Sequence, residues 1–197
     1  FSTVVEVEIE LKAKAGNSDD TKLSSSTVED DVGTLYLLNL PDGDVSPVQT
    51  SNARMFVWNQ WTNQDHIIYI LWDEEEETST LCRYDLSSGR ETSLCDSILL
   101  YRPSFDAAHN RVALTRVRDA DSEFYEIAVI HLDTGEIRYP VQNGAETCFP
   151  VFSPCGSKLA YLEGDMEEAE VGEYAILKTI TLETSEVTTI YDPRQAE

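Results

Sequence analysis

Four stretches of this chain are versions of one another. YDLSSGRETSL (84 to 94), IHLDTGEIRYP (130 to 140) and ITLETSEVTTI (180 to 190) each read as strand, tight turn and strand, and LNLPDGDVSPV (38 to 48) is a fourth copy. Their leucines, Leu40, Leu86, Leu132 and Leu182, are spaced by 46, 46 and 50 residues, and three positions after each comes Gly43, Gly89, Gly135 or Ser185. A period of this size marks stacked supersecondary units such as the blades of a propeller, because a single unit cannot cover its own apolar faces.

The remainder of each unit lies upstream of its leucine. NQWTNQDHIIYILWD (59 to 73), RPSFDAAHNRVALTRV (102 to 117) and FPVFSPCGSKLAYLEG (149 to 164) each carry an aromatic residue (Trp61, Phe105, Phe152), a polar turn, and a run rich in β-branched and aromatic residues. That is strand and turn chemistry. One unit is thus two hairpins, or four antiparallel strands, and the expected divisions are 1–50 (first strand missing), 51–97, 98–143 and 144–192 within one all-β region spanning 1–197. Sheets apolar on both faces need a neighbour on each side, which radial stacking supplies.

The segment FPVFSPCGSKLAYLEG resembles the P-x-W/F-S-P-D-G-x-x-(I/L)-A-(Y/F) signature of TolB-type β-propeller repeats, which also build the propeller of prolyl oligopeptidase-like peptidases. Pro150, Phe152, Ser153, Pro154, Gly156, Leu159, Ala160 and Tyr161 match it, and Cys155 stands where the family usually has Asp. The unit from 102 keeps Pro103, Phe105 and Ala113, and the unit from 59 keeps Trp61 and Tyr69. The resemblance implies four blades of a ring of about six to eight. A first unit starting at Phe1-Ser2 lacks its innermost strand, so a segment of a larger ring is expected, since closure leaves no unpaired edge.

Charge narrows the partners. With 37 acidic against 14 basic residues the formal net charge is −23, which argues against nucleic acid or an anionic membrane surface. Only five of the basic residues are lysine, a pattern expected of a protein working in high salt, where screening removes self-repulsion. No run approaches the apolar length of a membrane span and no signal peptide is visible, yet the chain begins at Phe1, and the compartment is left open.

The loops joining second to third strands (16 to 32, 73 to 79, 117 to 124 and 163 to 173) hold 19 of the 37 acidic residues. In a propeller these loops share one rim. The expected acidic face comprises Glu74, Glu75, Glu76, Glu77, Asp165, Glu167, Glu168 and Glu170. It reads either as a surface for a basic partner, a peptide substrate or a divalent cation, or as solvated loops of a salt-adapted protein.

Chemistry-bearing residues are few. His66 and His109 fall in first-hairpin turns and His131 in a third strand, without metal-ligand spacing. Cys82 and Cys95 flank the Ser87-Ser88-Gly89 turn and are expected opposite one another, where a disulfide would contribute at most about 3 kcal/mol. Cys148 and Cys155 read as packing and turn positions, and no histidine is indicated as a partner for a Cys155 nucleophile. The sequence contains no G-x-S-x-G, H-E-x-x-H, Walker loop or dinucleotide fingerprint. No catalytic, metal or cofactor residue is therefore assigned. The expected function is a non-catalytic propeller scaffold for a protein partner of TolB-like type. The alternative is the substrate-gating propeller of a prolyl oligopeptidase-like serine peptidase whose catalytic domain lies outside this chain. An enzyme centred on a propeller channel would need recurrent inward polar residues, which Trp61, Phe105 and Phe152 do not supply.

Overall fold

A computed structural model describes residues 32–39, 44–52, 54–62, 65–73, 76–99, 102–118, 124–164 and 175–195. The first pair of strands, β1 (Val32–Asn39) and β2 (Asp44–Asn52), forms an antiparallel hairpin. Three antiparallel sheets follow, each of four strands. The second sheet is β3 (Arg54–Trp61), β4 (His66–Asp73), β5 (Thr78–Asp85) and β6 (Arg90–Asp96). The third is β7 (Ser104–Asp106), β8 (Arg111–Val117), β9 (Tyr125–His131) and β10 (Ile137–Arg138). The fourth is β11 (Thr147–Phe152), β12 (Lys158–Glu163), β13 (Ile176–Thr181) and β14 (Val187–Tyr191). In every sheet the strands lie side by side in chain order. A single 3-10 turn, Pro193–Gln195, is the helical content of the described residues.

The interior strands of the second and third sheets are buried on both faces. In β4, five consecutive residues, Ile67 to Leu71, are buried. Alternation sends them to two different layers. Ile68 and Ile70 join Leu81 of β5 and meet Val112, Leu114, Ala128 and Ile130 of the third sheet. Ile67, Tyr69 and Leu71 turn the other way and pack with Phe56 and Cys82, the Phe56 and Tyr69 rings meeting edge-on at 5.2 Å. The third sheet repeats this arrangement, with Ala113, Ile127 and Val129 facing Phe152, Leu159, Tyr161 and Ile180 of the fourth. Each fully buried aliphatic or aromatic side chain contributes roughly 1.5–3 kcal/mol, so these layers between sheets are the main cohesive term.

The repeat is reproduced bond by bond. The amides of Leu86, Leu132 and Leu182 donate to the carbonyls of Asp65, Asn110 and Ser157 at 2.8, 2.9 and 2.9 Å, tying each second hairpin to the first-hairpin turn of its own sheet. Three residues on, the amides of Gly89, Gly135 and Ser185 donate to Asp85, His131 and Thr181, each at 2.8 Å. Those three residues have φ of 67°, 70° and 58°, the left-handed region that explains glycine in two of the copies. Leu40 and Gly43 lie outside the described residues, between β1 and β2.

Polar ties also run from sheet to sheet. Arg83 donates to the Leu132 carbonyl, the Phe149 amide to Thr115 Oγ1 at 3.1 Å, and the Phe152 amide to Ser104 Oγ at 3.0 Å. Ile98, in the connection after β6, bridges to Arg116 of β8 and is buried in the layer between second and third sheets.

Two expectations need correction. Cys82 and Cys95 do lie on neighbouring strands of one hairpin, but a bulge between Leu81 and Cys82 sets Leu81 opposite Cys95 and Ser93 opposite Cys82. The extra residue reverses the alternation, so the two thiols enter different layers and are not joined in a disulfide. His66 is not a turn residue either. It opens β4, in the position Arg111 takes in β8, and sits 3.4 Å from Asp85 across the ladder.

Candidate functional site

The third sheet departs from the second at both outer positions. Its first strand has three residues and its last has two, against eight and seven in the second sheet. Pro140 explains the short β10, because proline offers no amide to a ladder. After Arg138 the chain leaves β9 and crosses toward β11. Tyr139 holds the departure, its hydroxyl accepting from Arg116 Nη1 at 2.7 Å with the guanidinium 5.8 Å from the ring centre.

With so short an outer strand, the layer between third and fourth sheets stays open at its edge. The result is a groove of about 1000 Å³. Val129, Val141 and Ile180 from that layer line it together with Leu182, and Val187 of β14 contributes from the far side. Its charged and imidazole lining comes from the turns and strand ends of the third sheet, His109, Arg111, His131, Glu136 and Arg138, and Gln142, Asn143 and Ser185 add neutral polar groups. Arg111 and His131 are cross-strand partners, as are Val129 and Arg138, so the repeat register itself brings the basic groups onto the groove face.

Behind the groove sits a built polar cluster. Asp106, with a side chain only 5% exposed, accepts from His109 Nδ1 at 2.8 Å and from Arg111 Nη2 at 2.5 Å. The same Arg111 nitrogen donates to the Gly156 carbonyl at 2.7 Å, and the guanidinium lies 5.2 Å from the centre of the Phe152 ring. Burial alone would raise the Asp106 pKa, but the bonds from Arg111 and His109 outweigh it and hold the carboxyl below its usual value. Gly156 is required here: a Cβ would fall 2.6 Å from His109 Nδ1 and closer still to Asp106 Oδ2, and φ is 69°. The signature glycine is thus the seat for the Asp106 cluster of the preceding sheet.

An Asp–His pair is two parts of a hydrolytic triad, but no hydroxyl or thiol bonds to His109 among the described residues. Cys155, next in chain to Gly156, is instead bonded by Ser153 Oγ at 3.5 Å and Ser157 Oγ at 3.0 Å. Those hydroxyls lower its pKa to about 7. Cys148, by contrast, is buried and pushed up to about 12.

Of the acidic face, Glu76 and Glu77 are exposed in the β4–β5 turn, where the Glu76 amide donates to Asp73 Oδ1 at 3.2 Å. Glu74, Glu75, Asp165, Glu167, Glu168 and Glu170 lie outside the described residues. Among the described residues no group of three His, Cys, Asp or Glu side chains is placed to hold a metal ion, and no helix is long and apolar enough to cross a membrane. The groove was missed in the sequence, although Pro140, interrupting the fourth-strand run EIRYPV, was a legible signal for it.

No family model matches this chain, and no curated protein matches it in sequence. Solved structures do match in fold. TolB from Acinetobacter baumannii superposes with a TM-score of 0.54 at 13% identity, over 84% of this chain and 39% of that one. A puromycin-hydrolyzing peptidase from Mycobacterium tuberculosis gives 0.60 at 10% identity, over 85% of this chain and 26% of the peptidase. An oligogalacturonate lyase from Vibrio parahaemolyticus gives 0.58 at 14% identity, over 81% and 46%. This chain therefore spans less than half the length of each. Its fold is that of a TolB-type β-propeller, an all-β stack of four-stranded antiparallel blades. At these identities the likeness concerns the fold, which a lyase and a peptidase share.

Proposed function

We propose that the chain is a non-catalytic propeller scaffold that binds a segment of a protein partner, and that the groove between its third and fourth sheets is the contact. The observation that carries this reading is the groove's composition: an apolar floor continuous with the core, rimmed by side chains with hydrogen-bonding capacity. A few polar groups set on an apolar concavity are what recognition requires. The test is a photo-crosslinking residue at Val187, which is 45% exposed on the groove wall. One defined partner segment should be captured there and not from Val151 on the opposite face of the fourth sheet. Failure to obtain any adduct specific to position 187 would remove the groove from this role.

The acidic loops are a second proposed surface, for a basic partner or a divalent cation, carried by Glu74 to Glu77 and by Asp165, Glu167, Glu168 and Glu170. A further sheet is proposed to cover the outer face of the fourth. There Val151 and Tyr191 are 57% and 54% exposed, and Leu162 and Leu177 pair between them. That exposed face also favours the second reading, a gating propeller within a larger peptidase, which a serine-hydrolase probe on the full-length protein distinguishes by labelling.

A further inference from the structure

We infer that the groove between the third and fourth sheets takes an extended peptide of alternating apolar and acidic residues. This rests on the interaction reading above and specifies its ligand.

Shape is the first argument. A groove of about 1000 Å³ is at the top of the range for small-molecule sites, roughly 300–1000 Å³, and favours a chain segment over a compact ligand. One side is β10, the last strand of its sheet, so its outer edge has no partner within that sheet. An extended peptide can align along such an edge and drop every second side chain onto the apolar floor of Val129, Val141 and Ile180. Pro140 keeps any shared ladder short, which leaves specificity to the side chains.

Charge is the second. In a chain with 37 acidic and 14 basic residues, the groove lining contains one carboxylate, Glu136, against Arg111, Arg138, His109 and His131, and Asp106 behind the lining is paired with Arg111 and His109. Arg138 is 74% exposed at the rim and uses Nε on Glu136 at 2.8 Å, leaving its terminal nitrogens for an incoming carboxylate. Inside the rim, His131 Nδ1 and Arg111 Nε are buried without a hydrogen-bond partner. Charges farther than about 8 Å are largely screened at physiological ionic strength, so Arg138 at the rim, and not the chain's overall negative charge, is what an incoming carboxylate meets.

The test compares two fluorescent peptides of about twelve residues, one alternating Leu or Val with Asp or Glu, the other with Lys at each acidic position, on wild type, Arg138→Glu, Val187→Asp and Val151→Asp. All three substituted positions are exposed, so folding is preserved and checked by thermal melt. The acidic peptide should bind wild type and Val151→Asp equally. Arg138→Glu and Val187→Asp should each weaken it about tenfold or more, and Arg138→Glu should bind the Lys peptide better than wild type does. Preference of wild type for the Lys peptide, or equal affinity across all variants, overturns the inference while leaving an interaction scaffold intact. Binding of neither peptide overturns both. Displacement of the acidic peptide by a short dicarboxylate at the same concentration would show a small-molecule site and overturn the extended-peptide assignment.

Discussion

In the second sheet the outer strand β6 runs seven residues, Arg90–Asp96, whereas in the third its counterpart β10 runs two, Ile137–Arg138. The turns that precede these strands share the same amide-to-carbonyl bond from Gly89 or Gly135 and nearly the same φ. The long strand lays Cys95 into the layer between second and third sheets, and Leu94 packs against it, so that layer is sealed at its edge. The short one gives Ile137 to that same layer and only Arg138 to the other side, above Val129. Inner strands and turns therefore determine how blades stack, and outer-strand length determines what surface a blade presents. The groove is a consequence of a strand that stops early.

The largest difference expected between the two sheets lies at the end of the first strand. In the second sheet Thr62 follows Trp61, and its hydroxyl donates to the His66 carbonyl at 3.2 Å. In the third, Asp106 follows Phe105 and anchors a three-residue strand through Arg111 and His109. Asp106→Ala leaves the Arg111 guanidinium, about four-fifths buried, without its carboxylate. Breaking such a pair costs about 3 kcal/mol here, the low end for buried pairs because Arg111 keeps some solvent. Thr62→Ala should cost about 1 kcal/mol. Equal losses in urea unfolding would erase the contrast. The folded pKa of Asp106 is depressed, so its contribution is complete above the unfolded value near 3.9 and disappears as pH falls through the folded one. The stability gap between wild type and Asp106→Ala should accordingly narrow below about pH 4. A constant gap down to pH 2 would mean that the carboxylate charge is not what holds the strand.

The turns should behave alike in both sheets. A Cβ at Gly135 meets nothing within 4 Å, and one at Gly89 meets only the Tyr84 hydroxyl at 3.6 Å, so the penalty at either is that of backbone conformation. Gly89→Val and Gly135→Val should each cost about 1–2 kcal/mol. A much larger loss at one position, measured by thermal unfolding, would show that outer-strand length feeds back on the turn.

These equivalences explain what the sequence made legible. Leu86, Leu132 and Leu182 could be aligned because each amide and its following turn serve the same backbone geometry, which few residue types satisfy. Tyr69, Tyr161 and the β-branched runs marked the buried strands for a similar reason. The cysteine register failed because the bulge at Leu81/Cys82 has no distinctive residue. The groove itself was not read, although Pro140 marked the strand that stops early, because it depends on residues far apart in sequence, Val129, Val141 and Val187, meeting where that strand is missing. The Asp106–Gly156 seat was half visible. Gly156 stood out in the signature, but its occupant comes from the blade before. Of the acidic face, only Glu76 and Glu77 fall within the described residues, and that surface stands as a proposal.

The smallest effect sharpens the comparison most. Ser185 occupies the position of Gly89 and Gly135, with φ of 58° and the same 2.8 Å bond from its amide, here to the Thr181 carbonyl. A serine in the left-handed region bears a conformational cost of about 1–2 kcal/mol that glycine avoids. Glycine in turn loses more chain entropy on folding, by about 0.5–1 kcal/mol. Ser185→Gly should therefore stabilise the chain by about 0.5 kcal/mol, raising Tm by about 1–2 °C for a domain of this size. Ser185 also lines the groove, unlike Gly89 in the second sheet. A stabilised Ser185→Gly that binds the acidic peptide unchanged would identify the turn as a backbone device common to all blades. A loss of stability would instead mean that the serine side chain offsets its own strain through contacts at the groove mouth, and that the outer edges of the third and fourth sheets are coupled through it.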